Sequence, residues 1–435
     1  MLFRSNVISG NIDRRGGAMF TMPAVGGSTT RGQGGKGKGF SIGRGHSRVS
    51  RKPEAMGEYP VAILAEEITT QGEGQVRGFI CLSGNPVLST PHSKQLDAAL
   101  GELDFMVSVD IYLNETSRHA DVILPPPSAL QKEHYDVSLY TFAIRNVANY
   151  SDRVLELPAD QPDEWQILAK LGGILQGLGA DVSAEDIDDA ILRQSIGAAV
   201  ATTGSPVHGR DADEIYDMLN ADGRSGPARQ LDLMLQTGPY GAGFGANPDG
   251  LSLQKLVDNP HGVDLGPLEP RLPEALRTPS GMIELAPQMF LDELRRLADK
   301  KAEMESDGLL LVGRRELKSN NSWMHNMKVL TKGSLSCTLH VPPDDAARLG
   351  ISHGTSARVT SRVGSVDVPV EVTDAVRPGV VSLPHGWGHN VPGTKMAVAA
   401  EKAGVNSNIL TDDKVLDPLS GNAALNAIPV TVVPV

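Results

Sequence analysis

Gly78-Phe79-Ile80-Cys81-Leu82-Ser83-Gly84-Asn85-Pro86 is the stretch on which the fold turns. Five uncharged residues give way to a serine, a glycine, an asparagine and a proline, so a short buried strand ends in a sharp polar turn. A helical pattern follows from about Ser93 to Leu103, with Leu96, Ala99, Leu100 and Leu103 on one face. Phe105-Met106-Val107-Ser108-Val109 predicts a second strand ending at Asp110, and a polar helical stretch runs around Glu115–His119. Asp121-Val122-Ile123-Leu124 predicts a third strand, which Pro125-Pro126-Pro127 stops. Short apolar strands joined by helices predict an α/β fold with a parallel, Rossmann-like sheet.

Outward from this core the character of the chain changes. Residues 23–53 are rich in Gly and Ser, with Arg31, Lys36, Lys38, Arg44 and Arg48 scattered through them, and such a composition buries little. A helix carrying Trp165, Leu168, Leu171 and Leu175 follows the sheet, and residues 180–310 read as helices and polar loops without evident chemistry. From Ser334 the pattern is short strands at Leu335–Val341, Thr355–Ser361, Ser365–Val372 and Val380–Leu383, with one small helix at Asp344–Leu349 ended by Gly350. Many short strands around a single helix predict a compact β-barrel. The expected division is a loop-rich segment over 1–60, an α/β domain with a helical insertion over 61–310, and a barrel over 311–435.

Composition limits the chemistry. The 435 residues suffice for several hydrophobic cores, and no apolar run is long enough to span a bilayer. Forty basic against 52 acidic side chains give a net charge of −12, which opposes general affinity for nucleic acid or anionic lipid. The only cysteines, Cys81 and Cys337, cannot build a disulfide framework, a thiolate zinc knuckle or a self-contained iron–sulfur cluster. The N-terminus lacks the apolar stretch and cleavage pattern of a secretory leader, so a cytoplasmic location is expected.

Four groups of residues could carry chemistry. Gly32-Gln33-Gly34-Gly35-Lys36-Gly37-Lys38-Gly39 approaches a P-loop, but Gly39 stands where a magnesium-binding hydroxyl belongs, and neither strand nor helix flanks it. His385 and His389 have the spacing of a helical metal pair, yet Gly386 and Gly388 break a helix, and a loop whose backbone approaches a flat ligand with the Trp387 indole packed on it fits better, beside the reading of Trp387 as a plain core residue. The predicted strand ends bear Gly84, Asn85 and Asp110, where open parallel sheets bind ligands. A carboxylate there can accept two hydrogen bonds from a guanine edge or a ribose diol, though Asn85 also reads as a turn and Asp110 as a cap. Arg314 and Arg315, followed by Asn320, Asn321, Ser322, Trp323, His325 and Asn326, form a dense donor set suited to a polar heterocycle and a phosphate.

Taken in order, several motifs resemble those of one family. Leu82-Ser83-Gly84-Asn85-Pro86, Asp121-Val122-Ile123-Leu124-Pro125 with Lys132-Glu133, Pro343-Asp344-Asp345-Ala346 through Leu349-Gly350-Ile351, and Asn406-Ser407-Asn408-Ile409-Leu410-Thr411 resemble the C-terminal half of molybdopterin oxidoreductases. This is the family of dimethyl sulfoxide reductases, formate dehydrogenases and nitrate reductases. The resemblance implies a molybdenum cofactor with bis(molybdopterin guanine dinucleotide), a Rossmann-like domain holding one guanine, and a double-psi β-barrel gripping the pterins. It implies nucleotide contacts from Gly84, Asn85 and Asp110, and supporting polar contacts from Lys132 and Asp163. Arg314, Trp323, His325 and Asn326 would contact pterin and phosphate, and Trp387 and Asn408 would be late barrel contacts.

Departures from the family pattern shape the expectation further. His134-Tyr135-Asp136 replaces the Gly and Asn motif that usually follows the Lys-Glu pair, and Asn426 stands about where some members carry a lysine. The family's N-terminal half, with its cluster cysteines and molybdenum ligand, has no counterpart in this chain. A truncated enzyme or one piece of a split one is therefore expected, inactive alone. Its partners would be the cofactor, an N-terminal domain or chain and an electron-transfer subunit, with Arg14, Arg15, Arg31 and Lys36 beside a polar docking cleft. The readings from other classes are a non-catalytic module that grips a pterin or nucleotide, and a P-loop nucleotidase.

Overall fold

The structure, a computed structural model, describes residues 2–26, 39–304 and 308–435. The described residues fall into two compact units, one of Met1–Phe40 with Pro126–Pro287 and one of Ser41–Pro125 with Gln288–Val435. Most of the P-loop-like run, together with Arg31 and Lys36, lies outside the described residues.

In the second unit the expected parallel sheet is present. Strands β1 (Gly78–Leu82), β2 (Phe105–Val109) and β3 (Val122–Ile123) lie in the order β1-β2-β3. Both pairings are parallel, from Gly78 opposite Phe105 through Leu82 opposite Val109, and then Val107 opposite Val122. Pro86 opens the helix Pro86–Ser89 at the position where its missing N–H costs nothing, and Ser93–Leu100 follows. Leu96, Ala99 and Leu100 pack with Ile68, Cys81, Val87 and Met106 into one core. The helix expected around Glu115–His119 is only a 3₁₀ turn, Ser117–His119. The reason is local: Asn114 Oδ1 accepts from the backbone N–H groups of Thr116 and Ser117, an alternative to helical bonding.

The barrel is closed and six-stranded. Its strands are β4 (Leu309–Arg314), β5 (Leu339–Val341), β6 (Ser356–Thr360), β7 (Ser365–Val372), β8 (Val380–Pro384) and β9 (Asn426–Pro434), in the order β6-β7-β5-β8-β4-β9. The pairs β5–β7 and β4–β8 are parallel, while β9 closes the barrel antiparallel to both β4 and β6. Alternating side chains, Val366, Val368 and Val370 on β7 among them, fill the interior with Leu311, Leu339, Val359, Leu383 and Val432. Gly350, left-handed at φ 67°, ends the helix Pro343–Leu349 as its sequence requires.

The strand expected from Leu335 begins only at Leu339, so Cys337 precedes it rather than lying within it. Side chains satisfy the preceding segment instead of a partner strand: Arg314 donates to the Ser336 carbonyl, and Lys402 to that of Thr331.

The first unit is mainly helical. Helices Glu164–Leu175, Ala184–Ala201, Ala212–Asn220 and Pro227–Thr237 surround two apolar clusters, one with Leu192, Ile196, Ile215 and Leu233, the other with Leu235, Leu253 and Leu256. Among the described residues, no helix is long and apolar enough to cross a membrane.

Candidate functional site

Ser83, at φ 51°, turns the chain after β1 and presents Gly84 and Asn85 beside the loop that follows β2. In that loop Asp110 is buried, and its Oδ1 accepts from the Tyr112 N–H at 2.9 Å while Oδ2 accepts from Asn114 Nδ2 at 3.1 Å. Burial raises the Asp110 pKa, against the pull of these hydrogen bonds. Asn85 is braced from two sides: its Nδ2 donates to Glu115 Oε2 at 2.8 Å and its Oδ1 accepts from Thr116 Oγ1 at 2.7 Å.

The barrel residues meet the same region from the opposite end of the sequence. Asn408 Nδ2 donates to the Leu88 carbonyl at 2.7 Å, and Asn406 Nδ2 donates to Ser93 Oγ at 2.7 Å. Trp387 is buried with the barrel core and stacks on His325 with ring centroids 3.9 Å apart, so the chain's own imidazole, not a ligand, lies against this indole, as the core reading of the tryptophan has it. The flanking glycines are required there. A Cβ on Gly386, at φ 88°, would fall 2.1 Å from the Asn321 carbonyl oxygen, and one on Gly388, at φ 119°, would fall 2.8 Å from Asn406 Cβ. Both ring nitrogens of His389 are taken up, Nε2 by His325 and Nδ1 by Glu115, so it and His385 do not form a metal pair. Among the described residues, no three His, Cys, Asp or Glu side chains cluster as a metal site.

At the ends of β4 and β8 the barrel opens into a cleft of about 290 Å³. Gly313, Arg314, Arg315, His385, Ser407, Asn408, Thr411 and Asn426 line it together with Leu311, Leu383, Leu425 and Ile428. Arg314 is anchored by the Ser382 carbonyl at 2.9 Å and by Glu316 at 3.2 Å, and burial pulls its pKa down. Burial, then the charge of Arg315, lowers the His385 pKa. The lining has two guanidiniums, an imidazole, two amides and two hydroxyls but no carboxylate, a donor set that fits an anionic, acceptor-rich heterocycle. The Nε1–H of Trp387, a residue lining a separate cleft with Ser319 and His325, is buried without a hydrogen-bond partner.

The remaining sequence candidates fall elsewhere. Asn326 Oδ1 accepts from the N–H groups of Val398 and Ala399, and Trp323 is 39% exposed. Lys132 and Asp163 belong to the first unit, where both line a polar cleft of about 530 Å³. Lys132 pairs there with Glu164, and Asp163 caps the helix Glu164–Leu175 in a capping box with Gln166. Arg14, also in that unit, is exposed and donates to the Gly10 carbonyl at 2.9 Å; Arg15 is exposed as well. Sequence reasoning missed Glu115, Thr116 and Ser319 altogether. Nothing in a polar run marks it as buried when its partner, His389, lies 274 residues away.

Comparison with known proteins identifies this architecture. Residues 309–429, which contain β4 through the start of β9, match the family model for the molydopterin dinucleotide binding domain, and residues 9–174 match that for molybdopterin oxidoreductase. The chain is 24% identical over 329 residues to the F420-dependent formate dehydrogenase 2 subunit alpha of Methanococcus maripaludis, covering 74% of this chain and 40% of that one. It is 22% identical over 406 residues to the molybdopterin-containing subunit of the arsenate respiratory reductase of a Shewanella species, covering 86% and 46%. The structure of acetylene hydratase from Pelobacter acetylenicus shares the fold at a TM-score of 0.60 and 18% identity, over 87% of this chain and 47% of that one. The chain thus spans less than half the length of each of these relatives. By these matches, the chain belongs to the molybdopterin oxidoreductase family.

Proposed function

We propose that the chain is the cofactor-binding portion of a molybdenum oxidoreductase, and that its barrel, of the double-psi kind, holds a molybdopterin guanine dinucleotide. The observation that carries this reading is the carboxylate-free, donor-rich cleft at the ends of β4 and β8, within the segment matched to the dinucleotide-binding domain. Arg315, His385, Ser407 and Asn426 are the donors that would take phosphate and heterocycle, with Arg314 held rigid behind them. Gly84, Asn85 and Asp110 would present the sheet's strand ends to the nucleotide, Asp110 accepting from guanine N–H groups with its remaining lone pairs. Trp387, His325 and Asn408 would act by fixing the loops around the cleft.

When bound, molybdenum supplies the two-electron or oxo-transfer chemistry, while this chain's residues orient the cofactor and shield it from water. The electrons would come through a separate electron-transfer subunit, consistent with relatives that are themselves named as subunits. The molybdenum ligand would come from a further domain or chain. Cys81 and Cys337 are both buried with thiol pKa values raised by burial, that of Cys337 to about 11, so neither offers a thiolate.

The test is to express the chain in cells that make the cofactor, purify it, denature it and identify what is released. A guanine-containing pterin dinucleotide in stoichiometric amount, lost in Arg315→Ala, is the expected result. ATP or no nucleotide would overturn the reading.

A further inference from the structure

Ser319, His325, His389 and Glu115 form one linear chain of hydrogen bonds. Ser319 Oγ lies 2.9 Å from His325 Nε2, His325 Nδ1 lies 2.9 Å from His389 Nε2, and His389 Nδ1 lies 2.9 Å from Glu115 Oε1. The four residues are 4%, 2%, 1% and 0% exposed, in that order. Hydrogen-bonding capacity fixes the direction of the chain. An ionised Glu115 only accepts, so His389 carries its proton on Nδ1 and accepts at Nε2. His325 then carries its proton on Nδ1 and accepts from the Ser319 hydroxyl. The reversed chain, with Glu115 protonated and both imidazoles in the other tautomer, is equally saturated.

The two ends differ. Ser319 and His325 reach a cleft of about 230 Å³, where Glu316, Lys318, Lys332 and Lys402 are also found. At the inner end, Glu115 Oε2 accepts from Asn85, the residue at the end of β1 that the proposed function places at the nucleotide. A nucleophilic serine does not fit, because burial and then the neighbouring His389 hold the His325 pKa at about 4, too low for a base that must take a hydroxyl proton. Apart from the cleft groups, the charged and titratable neighbours of His325 are His389, Glu115 and His385.

We propose that these four residues are a proton relay from the lysine-bearing cleft to Glu115, which takes up a proton when negative charge arrives on the redox cofactor whose nucleotide the strand ends hold. In one passage water in the cleft gives a proton to Ser319 Oγ as the serine hydroxyl proton moves to His325 Nε2. The His325 Nδ1 proton moves to His389 Nε2, and the His389 Nδ1 proton moves to Glu115 Oε1. Both imidazoles end neutral in the opposite tautomer, Glu115 ends uncharged, and one hydroxide remains in the cleft for solvent to neutralise. Oxidation of the redox group reverses every transfer. The four act as positioning residues, since none of them is assigned a contact with the cofactor. The inference rests on the cofactor reading, and its test separates the two.

The test has two measurements. On the cofactor-free chain, ¹⁵N NMR of the imidazoles at pH 7 should find His325 and His389 neutral and protonated at Nδ1. Either ring as imidazolium, or His389 protonated at Nε2, overturns the relay. On the chain loaded with cofactor, the molybdenum midpoint potential should fall as pH rises, and His325→Gln and Glu115→Gln, which keep hydrogen-bonding groups but cannot pass a proton, should flatten that dependence, potentials being read from the molybdenum each protein binds. Equal pH dependence in wild type and both variants overturns the relay alone. A chain that takes up no cofactor overturns the reading beneath it.

Discussion

Asn408 donates from its side-chain amide to the Leu88 carbonyl at 2.7 Å, a bond between residues 320 positions apart. Its other amide atom, Oδ1, accepts from Thr411 Oγ1 at 3.0 Å, and the side chain is 2% exposed. The residue therefore joins the barrel's last loop to the helix that leaves β1.

Asn408→Ala should leave the Leu88 carbonyl without that donor and the Thr411 hydroxyl without that acceptor. A loss of about 1–3 kcal/mol is expected, read as a lower urea midpoint with unchanged slope. A variant as stable as the parent would show that the bond contributes nothing.

His389→Ala removes the imidazole that partners a fully buried carboxylate, Glu115. Leaving that charge one donor short should cost about 1–3 kcal/mol, more than Glu115→Gln, which leaves no charge behind. Thermal melts of the two variants give the order. If Glu115→Gln proves the more damaging, the N–H that His389 gives to the Glu115 charge is not what matters there.

Acid should destabilise the second unit in two overlapping steps. His325 has its folded pKa lowered by burial from 6.5 to about 4, so between those values the unfolded chain binds more protons and stability rises with pH. Burial raises the Glu115 pKa, but the bonds from His389 and Asn85 outweigh it and the net shift is downward. Its contribution is present above its unfolded value and is lost as pH falls through its folded pKa. Melting temperatures from pH 4.5 to 7.5 should climb in the parent and climb less in His325→Gln. Parallel curves would rule His325 out as the source.

Asp110→Ala tests the guanine assignment against its visible role in the turn. Two charge-assisted bonds to guanine imply a roughly ten- to hundredfold loss of GDP affinity with little change for ADP. Loss of the bonds to Tyr112 and Asn114 should lower stability as well, by about 1 kcal/mol. Lower stability with unchanged preference for GDP over ADP would leave Asp110 as a turn residue only.

Assayed alone with reduced viologen against nitrate and sulfoxides, or with a dye acceptor against formate, the chain should show no turnover even when loaded with cofactor. Activity that rises with bound molybdenum would reveal a ligand within this chain.

How far the sequence could be read follows from the distance over which each feature is decided. The sheet was legible because β1 and β2 are uncharged runs that end in turn residues, information contained within a dozen positions. The strand β9 was not, because Pro429 and Pro434 argue locally against a strand, and they are accommodated because each half of β9 pairs on one side only, Asn426 to Val430 with β4 and Thr431 to Pro434 with β6. The strand β4 is a brief apolar run, Leu309-Leu310-Leu311-Val312, which periodicity alone does not tell from a piece of helix. That Gly84, Asn85 and Asp110 stand just beyond strand ends was legible for the same reason. The Ser319–His325–His389–Glu115 chain was invisible, since each member is an ordinary polar residue until folding removes the water around it.

The second unit is interrupted in sequence by residues 126–287 and is completed only by β9. During synthesis, β1 and its helix leave the ribosome long before Asn406 and Asn408 exist to bind the carbonyls of Val87 and Leu88. At about 5–20 residues per second, the 320 positions between Leu88 and Asn408 amount to roughly 15–60 s of translation. For that interval the nascent sheet is an unfinished surface, and the cell must either shelter it or translate quickly enough to outrun its aggregation.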